Sequence, residues 1–392
     1  MPRRLRVGLL IQSTLEYGRG LLRGIGQYMA ERESWAIYHR PGLLFDSLPP
    51  KFRDWEPKGI IAQLESPKLI RQVRRMKVPT VDLYALDDIP GIPRLAPDHR
   101  AVAQMVANYF LERGYKHFAY CGFPGVYYSE IRSKHFTEYL EQEGHAPIVY
   151  RGAGPSKAAS VFDREAAGLL ETDRLGQWVG TLPKPVALLA GSDLRAQQVL
   201  SACQDQEIAV PGEVAVMGVG NDEVICRLCN PSLTSVELNT EKIGYRAAVL
   251  LERMMHGRRP PRQPVLVEPR EIVTRKSTSA LAISDADVAT SVQFIREHVA
   301  DGITTQEVAN HVTLSRSTLQ RRFTETLGRS PREEIIHAQL DRVKQLLVDT
   351  ELPLSRIAAL SGFRYAESLC RLFKRKIGLT PGEFRKRALL HE

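Results

Sequence analysis

Up to residue 275, short apolar runs rich in β-branched residues alternate with amphipathic stretches. The runs predict strands at Leu5–Ile11, Gly59–Gln63, Thr80–Tyr84, Phe118–Gly122, Val186–Ala190 and Val214–Val219. The stretches between them predict helices at Gly20–Arg32, Lys68–Met76, Arg100–Arg113, Ser133–Gln142, Leu194–Gln206 and Glu241–Met255. In the third of these, Val102, Val106, Tyr109 and Phe110 fall at i, i+4, i+7 and i+8 and draw one apolar stripe. Strands that are apolar throughout, separated by helices, imply parallel sheet covered on both faces.

After residue 275 the pattern changes. Residues 276–287 are small and polar and read as a linker. Beyond it lies an internal repeat. Leu319-x-Arg321-x-Phe323 with Gly328-x-Ser330-Pro331 recurs, at an offset of 50, as Leu369-x-Arg371-x-Phe373 with Gly378-x-Thr380-Pro381. Val308-Ala309 recurs as Ile357-Ala358 at an offset of 49, so the second turn holds one extra residue. Each unit reads as a helix-turn-helix. In the first, Thr305–Val312 is followed by a Thr313-Leu314-Ser315 turn with Ser315 as N-cap, then by Arg316–Leu327. In the second, Ser355–Leu360 is followed by Ser361-Gly362-Phe363, then by Ala366–Ile377. Leu319/Phe323 and Leu369/Phe373 form the buried pairs, and Arg321 and Arg371 point outward. Between the units, Ile336, Leu340, Val343 and Leu347 place Arg332–Val348 on one long amphipathic helix. At 1.5 Å per residue it is about 25 Å long. That length suits two reading heads on successive major grooves, roughly 34 Å apart.

The chemistry follows from these placements. Arg on a recognition helix grips guanine with two donors, and a carboxylate accepts from cytosine. Lys374, Arg375, Lys376, Arg364 and 385–387 suit phosphates. In the part before the linker, the ligand site is expected at the carboxyl ends of the parallel strands. There the sequence places Tyr17 and Arg19, Glu65, Asp87, Tyr128 and Arg132, Asp193, and Asn221 and Asp222. Carboxylates, amides, Arg and aromatics in one cleft suit a sugar, its hydroxyls gripped by planar groups and its C–H face covered by a ring. The alternative for each residue is local capping; Asp193 also reads as the N-cap of the helix behind it.

Charge adds little by itself. The chain of 392 residues carries a net +9, of which residues 285–392 hold only 3, with 17 Lys and Arg against 14 Asp and Glu. The other 6 read as spread over positions 1–284. Five cysteines, an odd number, suit free thiols in a reducing compartment. No apolar run approaches the roughly 18 residues of a membrane span, and no signal-peptide pattern opens the chain. The expectation is a cytoplasmic protein without membrane contact.

Two resemblances sharpen this reading. Residues 187–257, with Val210-Pro211-Gly212-Glu213, Leu233-Thr234-Ser235-Val236, Ile243-Gly244 and Arg275-Lys276-Ser277-Thr278, resemble the ligand domain of LacI-type regulators, relatives of periplasmic sugar-binding proteins. Asp98, Arg132 and Phe136 fit the same family. The resemblance covers nearly all of the chain before the linker. It implies two α/β lobes closing on a ligand, with Arg132 and Asp193 facing the cleft. Gly218-Val219-Gly220-Asn221 departs from the family's Gly-x-Asp-Asn: either Asp222 supplies the carboxylate missing at Gly220 or the site lacks it. The N-terminal DNA-binding headpiece of that family is also missing.

Residues 288–388 resemble the AraC-type DNA-binding domain, most specifically at Gly362-Phe363 and from Phe373-Lys374 to Phe384-Arg385. That resemblance places Ser317, Thr318 and Arg321, and Glu367, Ser368 and Arg371, at the bases, with Lys374 at the backbone. Thr313 stands where that family often has Gly.

The order of the two modules, with the Tyr17-x-Arg19 element, is similar to regulators of pentose operons. It implies xylose or a related pentose as effector, activation as the sign, a homodimer on operator DNA, and RNA polymerase as a further partner. The expected fold is a two-lobed periplasmic-binding-protein-like domain (1–275), a linker (276–287) and an all-α double helix-turn-helix domain (288–388).

Other readings find less in the chain. Cys226-x-x-Cys229 lacks the second pair of a structural zinc site. The glycines at 18, 20, 24 and 26 do not form a dinucleotide fingerprint. No nucleophile–base pair, cofactor motif or metal spacing stands out, so no cofactor, metal or catalytic residue is expected. The same architecture sensing another small polar ligand, a transport-type binding protein and a sugar-modifying enzyme are the alternatives. A sensor returns its sugar unchanged, and an enzyme consumes it.

Overall fold

The computed structural model describes residues 4–32, 35–42, 45–84, 89–152, 161–279 and 285–389. Asp87 and part of the linker lie outside the described residues. The chain forms two compact units, residues 1–280 and 281–392.

The first unit opens with β1 (Arg6–Leu10), α1 (Glu16–Glu31), β2 (Ala36–His39), β3 (Gly59–Ala62), α2 (Pro67–Met76), β4 (Thr80–Asp82) and β5 (Leu95–Pro97). It continues with α3 (His99–Leu111), β6 (His117–Cys121), α4 (Tyr127–Gln142), β7 (Ile148–Val149), α5 (Val161–Ala167), α6 (Thr172–Thr181) and β8 (Val186–Ala190). Then come α7 (Asp193–Asp205), β9 (Val214–Val219), α8 (Glu223–Leu228), β10 (Thr234–Glu237), α9 (Thr240–Met255), β11 (Val265–Val267) and β12 (Glu271–Val273).

Three sheets result: one large sheet per lobe and a two-stranded β11-β5 pair. The first has the order β2-β1-β3-β4 and is wholly parallel. The second has the order β12-β10-β9-β8-β6-β7 and is parallel except for β12, which runs antiparallel to β10. The chain crosses between lobes three times. After β10, α9 returns to the first lobe, where Ile243, Ala247, Ala248 and Leu251 share a core with Val7, Leu9 and Leu21. β11 pairs with β5 before β12 rejoins the second sheet. Asp98, at the first crossing, caps α3 by accepting from Arg100 N and Ala101 N, each at 3.0 Å.

The glycine-rich stretch of α1 is explained by packing. A Cβ on Gly24 would overlap the Glu241 carbonyl, and one on Gly244 would overlap that of Leu21. The backbones of α1 and α9 therefore touch. Short strands with little alternation (β2, β5, β7, β10, β11, β12) escaped the sequence reading, as did α5, α6 and α8.

The second unit contains α10 (Ala286–Glu297), α11 (Thr305–His311), α12 (Arg316–Leu327), α13 (Pro331–Asp349), α14 (Leu354–Leu360), α15 (Ala366–Ile377) and α16 (Pro381–Leu389). It has two cores. Val288, Val292 and Ile295 of α10 pack on Val308, Ala309, Leu319, Phe323 and Ile335. Leu340, Val343 and Leu347 pack on Ile357, Leu369 and Phe373. The helix α13 thus carries two stripes, one toward each core; the sequence reading found the second only. The repeat extends to capping. Ser330 and Glu333 at α13, and Thr380 and Glu383 at α16, exchange the same reciprocal side-chain and backbone bonds. Among the described residues, no helix is long and apolar enough to cross a membrane.

Candidate effector cleft and nucleic-acid interface

A cavity of about 470 Å³ lies at the carboxyl ends of β1, β3, β4, β6, β8 and β9, between the two lobes. Tyr17, Arg132, Asp193 and Asp222 line it together. Three of them stand on helices rather than in loops, because α1 begins at Glu16, α4 at Tyr127 and α7 at Asp193. The first turn of α4 is pinned by the Ser129 hydroxyl, which accepts from Phe123 N at 2.8 Å.

Arg132 is the buried cation of the cleft, 5% exposed. Its Nη1 donates to Gly191 O at 2.6 Å and its Nε to His99 Nδ1 at 3.2 Å, and its guanidinium lies 5.0 Å from the Tyr128 ring centre. Burial, and then Arg132, hold His99 well below its ordinary pKa. With Nδ1 accepting, the neutral ring carries its proton on Nε2.

Asp193 is 3% exposed. It is not the N-cap of α7; Ser192 is. Its Oδ1 accepts from Ser235 Oγ at 2.5 Å and its Oδ2 from Asp222 N at 2.8 Å. Burial pushes its pKa up from 3.8 to about 6, against the lowering from these two bonds. The native state therefore holds this proton more tightly than the unfolded chain. The resulting stability is fully present below about pH 4 and is lost as pH rises through about 6. A carboxylate kept ionised at neutral pH against its own stability fits a binding role better than a structural one.

Gly220 has φ +135°, a conformation open to Gly, and a Cβ there would meet Asp193 Oδ2 at 3.0 Å. Asp193 occupies the space an aspartate at 220 would need. Asp222 lines the cavity, but its oxygens hold other groups: Oδ2 accepts from Glu16 N at 2.9 Å and Arg19 Nη2 at 3.0 Å, and Oδ1 caps Ile225 N at 3.4 Å. Asp193 accepts two of these bonds and Asp222 three, so Asp193 keeps the greater free acceptor capacity.

Two expected cleft residues fall outside this cavity. Arg19 is engaged behind Asp222, on Glu16 Oε2 at 3.1 Å and Thr14 O at 2.8 Å. Asn221 has φ +51° and turns away; its Oδ1 accepts from Arg275 Nη2 at 2.8 Å and its Nδ2 donates to Glu237 at 3.2 Å. Other lining residues were not read from the sequence: Gln12, Gln63, His99 and Glu165. Gln63 was absorbed into a strand that ends one residue earlier, at Ala62. Glu165 accepts from Tyr128 Oη at 2.5 Å, and burial raises its pKa.

In the second unit, Leu319, Phe323, Leu369 and Phe373 are fully buried. Ser317, Arg321, Glu367, Ser368, Arg371 and Lys374 are exposed, and Thr318 is half-buried. Ser315 caps α12 by accepting from Thr318 N at 3.1 Å. Arg321 Nη1 contacts both oxygens of Glu325 at 3.0 Å, an exposed pair worth less than about 1 kcal/mol. Arg371 has no partner among the described residues. Arg322 is diverted from any reading role by Asp287 at 2.7 Å and Asp285 at 3.3 Å. Lys374, Arg375 and Lys376 close the last turn of α15. The side chains at 386 and 387 lie outside the described residues.

The turns differ as the sequence implied. Thr313 has φ +55° and Gly362 has φ +74° at the equivalent position. A β-branched residue is strained in that conformation. Thr313→Gly is therefore expected to raise the stability of the helical unit by about 1 kcal/mol, read as a higher thermal midpoint; an unchanged or lower midpoint would contradict it.

Three family models tile the chain: an N-terminal domain of xylose regulators at 6–98, a periplasmic binding protein-like domain at 107–278 and a helix-turn-helix domain at 308–387. The xylose operon regulatory protein of Haemophilus influenzae is 29% identical over 388 residues, covering 97% of this chain and 98% of its own. That of Escherichia coli K12 is 28% identical over 391 residues, covering 98% and 97%. A solved xylose-binding transcription activator is 27% identical, with a TM-score of 0.61 and 98% of each chain covered. A dimeric Lac repressor, 16% identical with a TM-score of 0.55 over 70% of this chain and 98% of its own, shares the fold of the ligand domain. Over its full length the chain is similar to transcription regulators in which a periplasmic-binding-protein-like, sugar-sensing domain precedes an AraC-type helix-turn-helix DNA-binding domain.

Proposed function

We propose that this regulator is a cytoplasmic activator whose effector is xylose or a closely related pentose, and that it binds operator DNA as a homodimer. The observation that carries the reading is the pairing of Arg132 and Asp193, a buried donor and a buried acceptor, in a cavity walled by Tyr17, Tyr84, Tyr127 and Tyr128. The regulatory names of the full-length relatives support the choice of sugar. Arg132 and His99 donate to sugar oxygens, Asp193 and Glu165 accept from hydroxyls, and the tyrosines cover the C–H face. Asp222, Arg19 and Asn221 act from behind, Asp222 tying the start of α1, which carries Tyr17, to the turn after β9. On the DNA, Ser317, Thr318 and Arg321 of α12 and Glu367, Ser368 and Arg371 of α15 read bases, and Lys374 binds phosphate. The 19-residue α13, about 28 Å long, spaces the two heads. RNA polymerase is the partner an activator requires.

Calorimetric titration with pentoses and hexoses tests the effector. One saturable pentose, recovered unchanged, is the expected result; no binding across the panel would contradict it. Affinity should also weaken about tenfold from pH 7 to pH 5 as Asp193 protonates, and Asp193→Asn should flatten that dependence. A wild-type affinity independent of pH would remove Asp193 from the contact. For the DNA, Arg321→Ala and Arg371→Ala are each expected to cost about 1–3 kcal/mol and to relax specificity at one base position. Equal weakening on every sequence would reassign them to phosphate.

A further inference from the structure

The charge surplus of positions 1–284 is not spread out. Its value is 6, and α2 with its C-cap carries five cations: Lys68, Arg71, Arg74, Arg75 and Lys77. No Asp or Glu occurs between Glu65 and Asp82. All five side chains are exposed, and none has a hydrogen-bond or ion-pair partner among the described residues. Several exposed cations elsewhere in this unit are paired: Arg23 with Glu241, Lys184 with Glu213, Arg227 with Glu223 and Arg270 with Glu237.

Helix geometry makes this a surface. Leu69 and Val73 are buried in the core with Leu10, Ile60 and Leu64, which fixes the opposite face outward. Lys68, Arg71 and Arg75 stand at i, i+3 and i+7, within about 60° of the circumference and about 10 Å of the axis. The helix dipole accounts for cations at the C-terminal end, where Arg74, Arg75 and Lys77 lie. It does not account for Lys68, in the first turn, where a cation is unfavourable. Five unneutralised charges repel one another, and nothing described within the unit offsets that cost.

We propose that α2 is a second, sequence-independent DNA contact, its Lys68/Arg71/Arg75 stripe binding phosphates of the duplex that flanks the operator. The inference rests on the DNA-binding reading above. A duplex is the complementary surface, with one negative charge per about 1.7 Å of axis. Arg and Lys without base-reading geometry supply affinity there rather than specificity.

The test uses the full chain, wild type and K68Q/R71Q/R75Q, on an operator selected from random duplexes by the wild-type protein. That operator is presented bare in a short duplex and embedded in a long one. For wild type, the slope of log affinity against log salt concentration should be steeper on the long duplex by about 2.7 for each α2 stripe engaged, three phosphates at about 0.9 each, and so by about 5.4 when both protomers of the dimer reach the flanks. The variant should lose that difference while matching wild type on the short duplex. Equal wild-type slopes on both duplexes would overturn the contact, as would a variant that keeps the difference. A variant indistinguishable on DNA but defective with polymerase in reconstituted transcription would overturn it in favour of an acidic protein partner. Failure of both proteins to bind the short duplex would sink the DNA reading itself. An unchanged thermal midpoint and pentose titration show that the variant is folded.

Discussion

Replacing Arg132 with Met is expected to weaken pentose binding by about 10²- to 10⁴-fold and to leave sugar-free operator binding intact. Two charge-assisted bonds to the ligand are lost, each worth about 1.5–3 kcal/mol. The loss propagates because Arg132 organises its surroundings. Gly191 O and His99 Nδ1 each accept from it, so its removal strands one buried carbonyl and frees the imidazole tautomer. It also lowers the pKa of Asp193, so without it that carboxylate becomes easier to protonate. Met preserves much of the aliphatic stem and removes the guanidinium that lies against Tyr128, which separates charge from bulk. Calorimetry on the variant reads the effect; a change below about threefold would place the sugar elsewhere in the cleft.

Gly362→Ala is expected to cost the helical unit about 2–4 kcal/mol and to abolish tight operator binding. Two costs add. Gly362 has φ +74°, and a methyl group there would overlap the carbonyl oxygen of Val299 and lie 3.1 Å from Gln339 Nε2. Gln339 donates to Gly362 O at 3.1 Å, so the turn of the second head is tied to α13. Displacing the turn displaces α15 relative to its own core. The equivalent turn at Thr313 tolerates a side chain, which is why the two sites respond in opposite directions. Thermal unfolding and operator titration measure the effect, and pentose binding serves as the control that should not move. A fully stable variant would mean that the turn relaxes without cost.

The parts of the fold legible in the sequence were those with strong periodicity or duplication. The repeat placed α12 and α15 at their observed bounds, because a constant offset of 50 averages out local ambiguity. The central parallel strands were readable because they are apolar on both faces. The sequence did not reveal α10, whose stripe of Val288, Val292 and Ile295 lies in the stretch read as linker and domain edge. Among the shortest strands, β3 and β4 stood out within longer apolar runs, whereas β7 and β10 carry too few apolar positions to register.

The site was legible by rule rather than by residue. Strand carboxyl ends do line the cleft, yet Arg19 and Asn221 turn away from it because stronger local partners hold them. His99 hid behind the capping residue Asp98, and Glu165 stands on α5, a helix the sequence reading did not find. Gly220 could be read as a departure but not explained, since only the structure places the Asp193 carboxylate where its side chain would go.

Ties across the cleft give closure a physical basis. Asp222 of the second lobe holds Glu16 N and Arg19 of the first, and Glu65 of the first lobe accepts from Val161 N of the second at 2.8 Å. A pentose that engages groups from both lobes adds to these bonds only in the closed form, and so shifts the population toward it. The shift is bounded by the difference in affinity for the two forms.

Coupling between sugar and operator is tested most directly by the operator affinity of the full chain, measured by fluorescence anisotropy with and without saturating D-xylose at fixed salt. At least a tenfold change is expected, a coupling of about 1.4 kcal/mol, and it should disappear in the Arg132→Met variant. Identical affinities and identical DNA geometry with and without the sugar would contradict it.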